Sequence, residues 1–311
     1  MPYGSTNIDA TVRLKAFEWL EEQCTIYGET LPRTILEKGF LYNETRVPLI
    51  GPQGIFIPKV MGKIPLSITT SPNSPYDDEH SSDGFLMYKY RGTDPHHREN
   101  AGLREAMLKK IPLIYLSGVV PGKYLPSWPV YIVRDDPSTL TFTVAVDEKH
   151  HTIASHGEPV CYDAPVPDED SKRKYLTIET RQRLHQQRFR ERVIAAYREQ
   201  CAMCQLRHPE LLDATHIIPD NEPQGDPVVP NGIALCKLHH AAFDRFIVGI
   251  RPDYIIHVRS DILEEEDGPM LDHGLKRLDG QKLILPRTSA HLPDPERLEM
   301  RYSKFKSYMV N

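Results

Sequence analysis

Apolar residues recur at helical spacing over residues 8–27, where Leu14, Phe17, Trp19 and Leu20 stand among charged neighbours, and the pattern stops near Gly28. An amphipathic helix is predicted there. From Val47 to Thr70 the apolar runs shorten and are broken by Gly51, Pro52, Gly54, Pro58, Gly62 and Pro65, which predicts short strands in a curled sheet. Residues 85–91, 113–119, 130–134 and 140–146 read as strands and residues 99–110 as a helix. Residues 148–174 are polar, rich in proline and without periodicity, as in an interdomain linker. Helical spacing returns over 177–199, with Leu184, Phe189, Val193, Ile194 and Tyr197 on one side. No internal repeat is present. The pattern predicts an α+β chain in two parts: a first domain over 1–150 with a barrel-like sheet, a linker over 151–175, and a second domain over 176–311. The last fifty residues, acidic near 261–267 and ending in a basic helix, read as an extension packed on that second domain.

A length of 311 residues accommodates two ordinary domains, and 40% hydrophobic with 26% charged residues is a globular composition. No run of 18 apolar residues is present, so no membrane-spanning helix is predicted. The first residues lack a basic and apolar secretory leader, which makes the expected location cytoplasmic. The net charge of −5 hides a basic stretch: Lys172, Arg173, Lys174, Arg181, Arg183, Arg188, Arg190, Arg192 and Arg198 face only Glu179 and Glu191. Affinity for nucleic acid depends on such local phosphate contacts more than on the sum. Arg181, Arg183, Arg188 and Arg192 are the candidates for contacts to the DNA backbone, which position without reading sequence.

Of the five cysteines, Cys24 and Cys161 stand apart, whereas Cys201, Cys204 and Cys236 gather in one region. Cys201-Ala-Met-Cys204 and Cys236-Lys-Leu-His239 are two pairs with the same two-residue gap, about thirty residues apart. Each gap lets one tight turn aim two donors at a single ion, and four N/S donors make a closed tetrahedral site for structural Zn²⁺.

Between and after these pairs lie His216-Ile-Ile-Pro219, Asn231-Gly-Ile-Ala-Leu235 and His240-Ala-Ala-Phe-Asp244. The order His, Asn, His, together with the two zinc-type pairs, resembles the HNH (ββα-metal) endonuclease family over about 60 residues. Phosphodiester hydrolysis needs a base to activate water and a cation to stabilise the charge on the phosphorane and the leaving oxygen. His216, at the end of a predicted strand, is the candidate base, and Asn231 is expected to bond the backbone or ring of that strand and fix the imidazole tautomer. His240 and Asp244, four apart on a predicted helix, share a face and suit Mg²⁺ or Mn²⁺. His239 is given to zinc because it completes the spacing from Cys236, although His239 and His240 could exchange roles. The chain departs from the family where a metal ligand often precedes the base: that position is Thr215, and Asp213, two residues earlier on the same strand face, is an alternative ligand.

Gly54-Ile-Phe-Ile-Pro58, Pro65-Leu-Ser-Ile-Thr69 and residues 83–92 resemble the N-terminal part of bacterial restriction endonucleases with a C-terminal HNH module. That resemblance implies a PUA-like β-barrel, in the superfamily of the SRA, EVE and YTH readers. It implies a modification-dependent restriction endonuclease acting on double-stranded DNA, in which the first domain flips out 5-methyl- or 5-hydroxymethylcytosine and the second cuts nearby. Flipping costs a few kcal/mol, which stacking at about 1–3 kcal/mol per base offsets. Tyr76, Tyr88, Tyr90 and Trp128, with Asp83, are the pocket candidates. A site that cuts one strand at a time favours a homodimer for double-strand cleavage. Two alternatives stay open: a zinc-stapled DNA-binding module without catalysis, and an HNH nuclease directed to another mark such as phosphorothioate.

Overall fold

The computed structural model describes residues 4–72, 85–146 and 169–308. The chain divides into two compact units, Met1–Leu184 and His185–Asn311. Both mix helix and strand. Among the described residues no helix is long and apolar enough to cross a membrane.

The first unit opens with α1 (Gly4–Tyr27), which buries Val12, Ala16, Phe17 and Leu20, one face at the 3.6-residue period. Leu14, counted on the apolar side from sequence, points to solvent and is 62% exposed. There follow β1 (Leu31–Pro32), α2 (Arg33–Lys38), β2 (Phe40–Tyr42), β3 (Thr45–Val47), β4 (Ile55–Phe56), β5 (Ser67–Thr70) and β6 (Leu86–Lys89). Then come α3 (Arg98–Leu108), β7 (Leu113–Val120), β8 (Lys123–Asp136) and β9 (Thr141–Val146). The main sheet runs β4-β5-β7-β8-β9-β6, with β1 also on β8, and only β5 and β7 pair in parallel.

Alternation along β7 shows how the sheet is buried on both faces. Leu113 and Tyr115 join one core with Ile68, Leu103, Val130 and Phe142, whereas Ile114 and Leu116 join another with the buried residues of α1. The sheet curls strongly, since the Tyr88 hydroxyl on the β6 edge donates to the Thr69 carbonyl of β5, near the opposite edge, at 3.4 Å. Gly54 permits that approach, because a Cβ there would lie 2.8 Å from the same hydroxyl. Among the described residues β4 and β6 do not pair, so hydrogen bonds do not close the sheet.

The division between units falls inside α4 (Glu169–Ala196). The helix therefore starts within the stretch expected to be a linker over 151–175. Its first turns are built from good helix formers such as Glu169, Lys172, Arg173 and Lys174. They lack an apolar stripe, which is why polarity read as linker. The second half of α4 buries Phe189, Val193, Ile194 and Tyr197 in the core of the second unit.

Around that core lie β10 (Leu212–His216), β11 (Gly232–Cys236) and α5 (Lys237–Asp244), followed by β12 (Val248–Ile250) and β13 (Ile256–Val258). Three further helices complete the unit: α6 (Ser260–Glu264), α7 (Pro269–Gly274) and α8 (Pro295–Ser307). β10 pairs antiparallel with β11, His216 lying opposite Gly232, and α5 follows β11 without a break. The result is a ββα unit. α8 packs as the C-terminal extension was expected to, with Phe305 buried against Gly249, where a Cβ would lie 2.6 Å from the ring.

Candidate active site

The two predicted ligand pairs come together. The ligand atoms of Cys201, Cys204, Cys236 and His239 all lie within 4.8 Å of one another. Cys201 and Cys204 sit on a tight turn after α4, closed by the Gln205 amide donating to the Cys201 carbonyl at 3.0 Å, while Cys236 and His239 flank the start of α5. Tetrahedral donors at zinc bond lengths of about 2.0–2.3 Å stand roughly 3.5–3.8 Å apart. The observed separations of 3.9 Å for Cys204 Sγ to Cys236 Sγ, and 3.4 and 3.2 Å from His239 Nδ1 to Cys201 and Cys236 Sγ, fit that geometry. The other ring nitrogen of His239, Nε2, lies 2.7 Å from the Gly274 carbonyl of α7, an outer bond that leaves the Nδ1 lone pair for an ion. The Cys201 thiol is pulled well below its ordinary value by hydrogen bonds with Cys204 and Cys236, against burial, and so is poised as a thiolate ligand.

A second cluster lies on the ββα unit. His240 on α5 is held from both sides: Nδ1 is 2.9 Å from Asp213 Oδ2, and Nε2 is 3.1 Å from Asp244 Oδ2. The helical spacing of four puts His240 and Asp244 side by side, as the sequence predicted. Asp213 reaches them from β10, and its other oxygen takes the Lys237 ammonium at 2.6 Å. Its carboxyl is held below the usual range, burial opposing the hydrogen bonds from His240 and Lys237. Arg301 of α8 completes the frame. It donates to the Phe243 carbonyl at 3.0 Å, lies over the Phe243 and Phe246 rings, and stands 3.7 Å from Asp244 Oδ1. That placement leaves Asp244 Oδ2 toward His240.

His216, the last residue of β10, stacks on Phe189 of α4 with ring centroids 4.0 Å apart. Its Nε2 is buried without a hydrogen-bond partner, so Nδ1 is the nitrogen left to meet a water. Burial pushes its pKa down, with Asp220 and Asp244 opposing and His240 assisting. The imidazole is therefore neutral near pH 7, and it feels the charges of the His240 cluster. Gly232, opposite it in the sheet, carries no positive φ; its role is spatial. A Cβ there would stand 2.4 Å from Val193 and 2.9 Å from the Phe189 ring.

Of the two partners expected for Asn231, backbone or imidazole, its side chain hydrogen-bonds the backbone. It is fully buried, accepts from the Ile218 amide at 2.9 Å and donates to the Ile218 and Asp226 carbonyls at 2.9 and 3.1 Å. It thus ties the backbone just past His216 to the start of β11. Thr215 is 1% exposed with its hydroxyl buried, which removes it from any open ligand set.

Other predicted contacts are not available as expected. Arg188 is buried at 7% exposure, and Arg183 ion-pairs with Glu29 at 3.0 Å, so neither presents a free guanidinium to DNA; Arg192 is exposed. The Arg181 side chain lies outside the described residues, as do Tyr76 and Asp83. Tyr88 and Tyr90 are packed in the core containing Phe142, on which Tyr90 stacks, and Trp128 lies in the separate core under α1. None of the three offers an open ring face to a flipped base, because burial in a curled sheet uses both faces of its aromatics. Phe189 and Arg301 were the site residues that periodicity and spacing missed, and Asp213, expected as an alternative ligand, is found as the partner of His240. Only Asp213 carried a signal, through its place on the strand face of Thr215.

Residues 201–251 match a family model described as HNH endonuclease, a span that contains β10, β11, α5 and all four zinc-type ligands. Among solved structures the chain is similar to a modification-dependent TagI restriction endonuclease, with 16% identity, coverage of 78% of this chain and 82% of that one, and a TM-score of 0.29. No curated protein matches the chain.

Proposed function

We infer that the chain is a metal-dependent DNA endonuclease of modification-dependent restriction type, cutting with the ββα unit of its C-terminal half. The observation that carries this is the joint placement of a neutral His216 and the Asp213–His240–Asp244 chain on that one unit. His216 takes the proton of a water at Nδ1 as the water oxygen attacks phosphorus and the bond from phosphorus to the leaving oxygen breaks, that oxygen taking its proton from solvent; Phe189 holds the ring and excludes solvent from its other edge. His240 Nε2 and Asp244 are the residues that would hold Mg²⁺ or Mn²⁺, a mixed N/O donor set suited to a hard cation. Such an ion supplies Lewis-acid stabilisation of charge on the phosphorane and the leaving oxygen. Asp213 accepts the Nδ1 proton of His240 and so leaves Nε2, on the side of Asp244, as the nitrogen that would meet the ion. The Cys201, Cys204, Cys236 and His239 group is assigned to structural Zn²⁺, holding the end of α4 to the start of α5.

The first unit is assigned to recognition of modified cytosine in double-stranded DNA by a PUA-like domain. Its curled mixed sheet supports that reading. The burial of Thr215 favours one competing reading, a zinc-stapled DNA-binding module without cleavage. Purified protein is incubated with Mn²⁺ or Mg²⁺ and matched plasmids that are unmodified, 5-methylcytosine-containing or 5-hydroxymethylcytosine-containing, with His216→Ala as control. Cleavage confined to a modified plasmid and lost in the variant supports both assignments. Equal cutting of all plasmids removes the modified-base reader, and absence of cutting with either metal supports the binding module.

A further inference from the structure

A cleft of about 480 Å³ opens beside the zinc-type knuckle of the second unit, lined by Arg198, Gln200, Gln205, Arg207, Ile284 and Arg287. It falls within the roughly 300–1,000 Å³ usual for ligand sites. Three of its six lining residues are arginines, and among the described residues none of these three ion-pairs with a carboxylate. Elsewhere in the same unit Arg251, Arg259, Arg277 and Arg297 each pair with an aspartate. Like charges left together without a counter-ion repel one another, a repulsion that an anion from outside would relieve.

The cleft is also held rigidly. Arg198 and Gln200 lie three and one residues before Cys201, and Gln205 and Arg207 one and three after Cys204, so all four flank the turn that carries the two cysteines. Arg198 and Gln205 both adopt left-handed backbone, φ +58° and +64°, a conformation of modest cost that the turn imposes. Gln200, only 5% exposed, accepts from Arg207 Nε at 3.3 Å and leaves the two terminal nitrogens of that guanidinium for a ligand. The segment bearing Arg287 is tied to the same turn by the Ile284 amide, which donates to the Ala202 carbonyl at 2.9 Å.

We propose that this cleft is a phosphate-binding site through which the metal knuckle grips the backbone of duplex DNA, with Arg198, Arg207 and Arg287 as its charged contacts. The proposal rests on the DNA-cleaving reading above. It would also supply the second unit with a backbone contact in place of Arg188, which is buried. Arginine presents two parallel N–H donors to a phosphate and favours it over single-point anions.

The test measures affinity for a DNA duplex over a range of salt in a His216→Ala background without added divalent ion, comparing that parent with Arg207→Gln/Arg287→Gln. Each phosphate contact contributes about 0.9 to the slope of log affinity against log salt, so the double substitution is expected to flatten it by about 1.8 and to weaken binding equally for all sequences. Arg251→Gln, at an arginine already paired with Asp253, should leave the slope unchanged. Equal zinc content and melting temperature certify the fold, and Arg287→Gln alone, which breaks no hydrogen bond among the described residues, serves if the double variant misfolds. A parent that binds DNA with the same slope as the variant overturns the cleft and leaves the nuclease reading intact. A parent that binds no duplex overturns both. Binding of inorganic phosphate or a free mononucleotide that the substitutions abolish, with the duplex slope unaltered, assigns the cleft to a small anion and overturns the DNA contact.

Discussion

Asp213→Ala should separate the metal-binding role of the Asp213–His240–Asp244 chain from its contribution to the fold. Asp213 makes two bonds of different worth. One is to Lys237, whose side chain is 62% exposed, a surface ion pair of about 0–1 kcal/mol. The other is to His240 Nδ1 at 2.9 Å, which fixes the tautomer of a proposed metal ligand. Loss of an outer partner of this kind costs about 10- to 100-fold in metal affinity or activity, or about 1.4–2.8 kcal/mol. The second effect exceeds the first, so the variant should melt within about 1 kcal/mol of the parent yet need about 10- to 100-fold more Mn²⁺ for half-maximal nicking of a susceptible plasmid. Asp213→Asn keeps a neutral acceptor for the Nδ1 proton, and neutral hydrogen bonds are roughly half as strong as charge-assisted ones. Its metal requirement should fall between those of parent and Ala variant. A manganese titration of plasmid nicking, alongside thermal melts, reads both quantities. Unchanged metal curves in both variants would refute the assignment of His240 as a ligand oriented by Asp213.

His216 is neutral in the fold because burial disfavours its charged form, so its folded pKa lies below the unfolded value of about 6.5. Activity should be full at neutral pH and fall with an inflection below 6.5; the stability associated with this group is present above the unfolded pKa and is lost as pH falls toward the folded one. Phe189→Ala relieves that burial and should move the inflection up, which a pH–rate profile or an NMR titration of His216 would show. Gly232→Ala drives a Cβ into Val193 and Phe189 and should destabilise the protein by about 1–3 kcal/mol in denaturant titration while lowering cleavage through the displaced ring. If the four-ligand group holds the proposed structural zinc, which in sites of this type provides on the order of 10 kcal/mol, Cys236→Ser should abolish the zinc bound by the parent and unfold the second unit; full metal loss by a chelator with no change in far-UV circular dichroism would contradict this.

The local rules of the chain carry much of the site. The CxxC and CxxH spacings, the i to i+4 spacing of His240 and Asp244, and the strand position of His216 each concern residues within a turn or a strand of one another, where backbone periodicity alone decides which side chains meet. The existence of α1, α3 and β7 was legible too, the last from an unbroken apolar run rather than a period. Long-range packing decided the rest. Arg188 sits in a basic stretch like Arg192, yet burial removes one and leaves the other exposed. Tyr88, Tyr90 and Trp128 are all aromatics of apparent strands, and only the pairing of those strands in the sheet shows that Tyr88 and Tyr90 enter one core and Trp128 another. Arg301 reaches Asp244 from 57 positions along the chain, and Phe189 finds His216 because β10 and β11 pack under α4. Contacts closed over such distances depend on how whole elements pack, and no single-chain period encodes which residues packing will bring together.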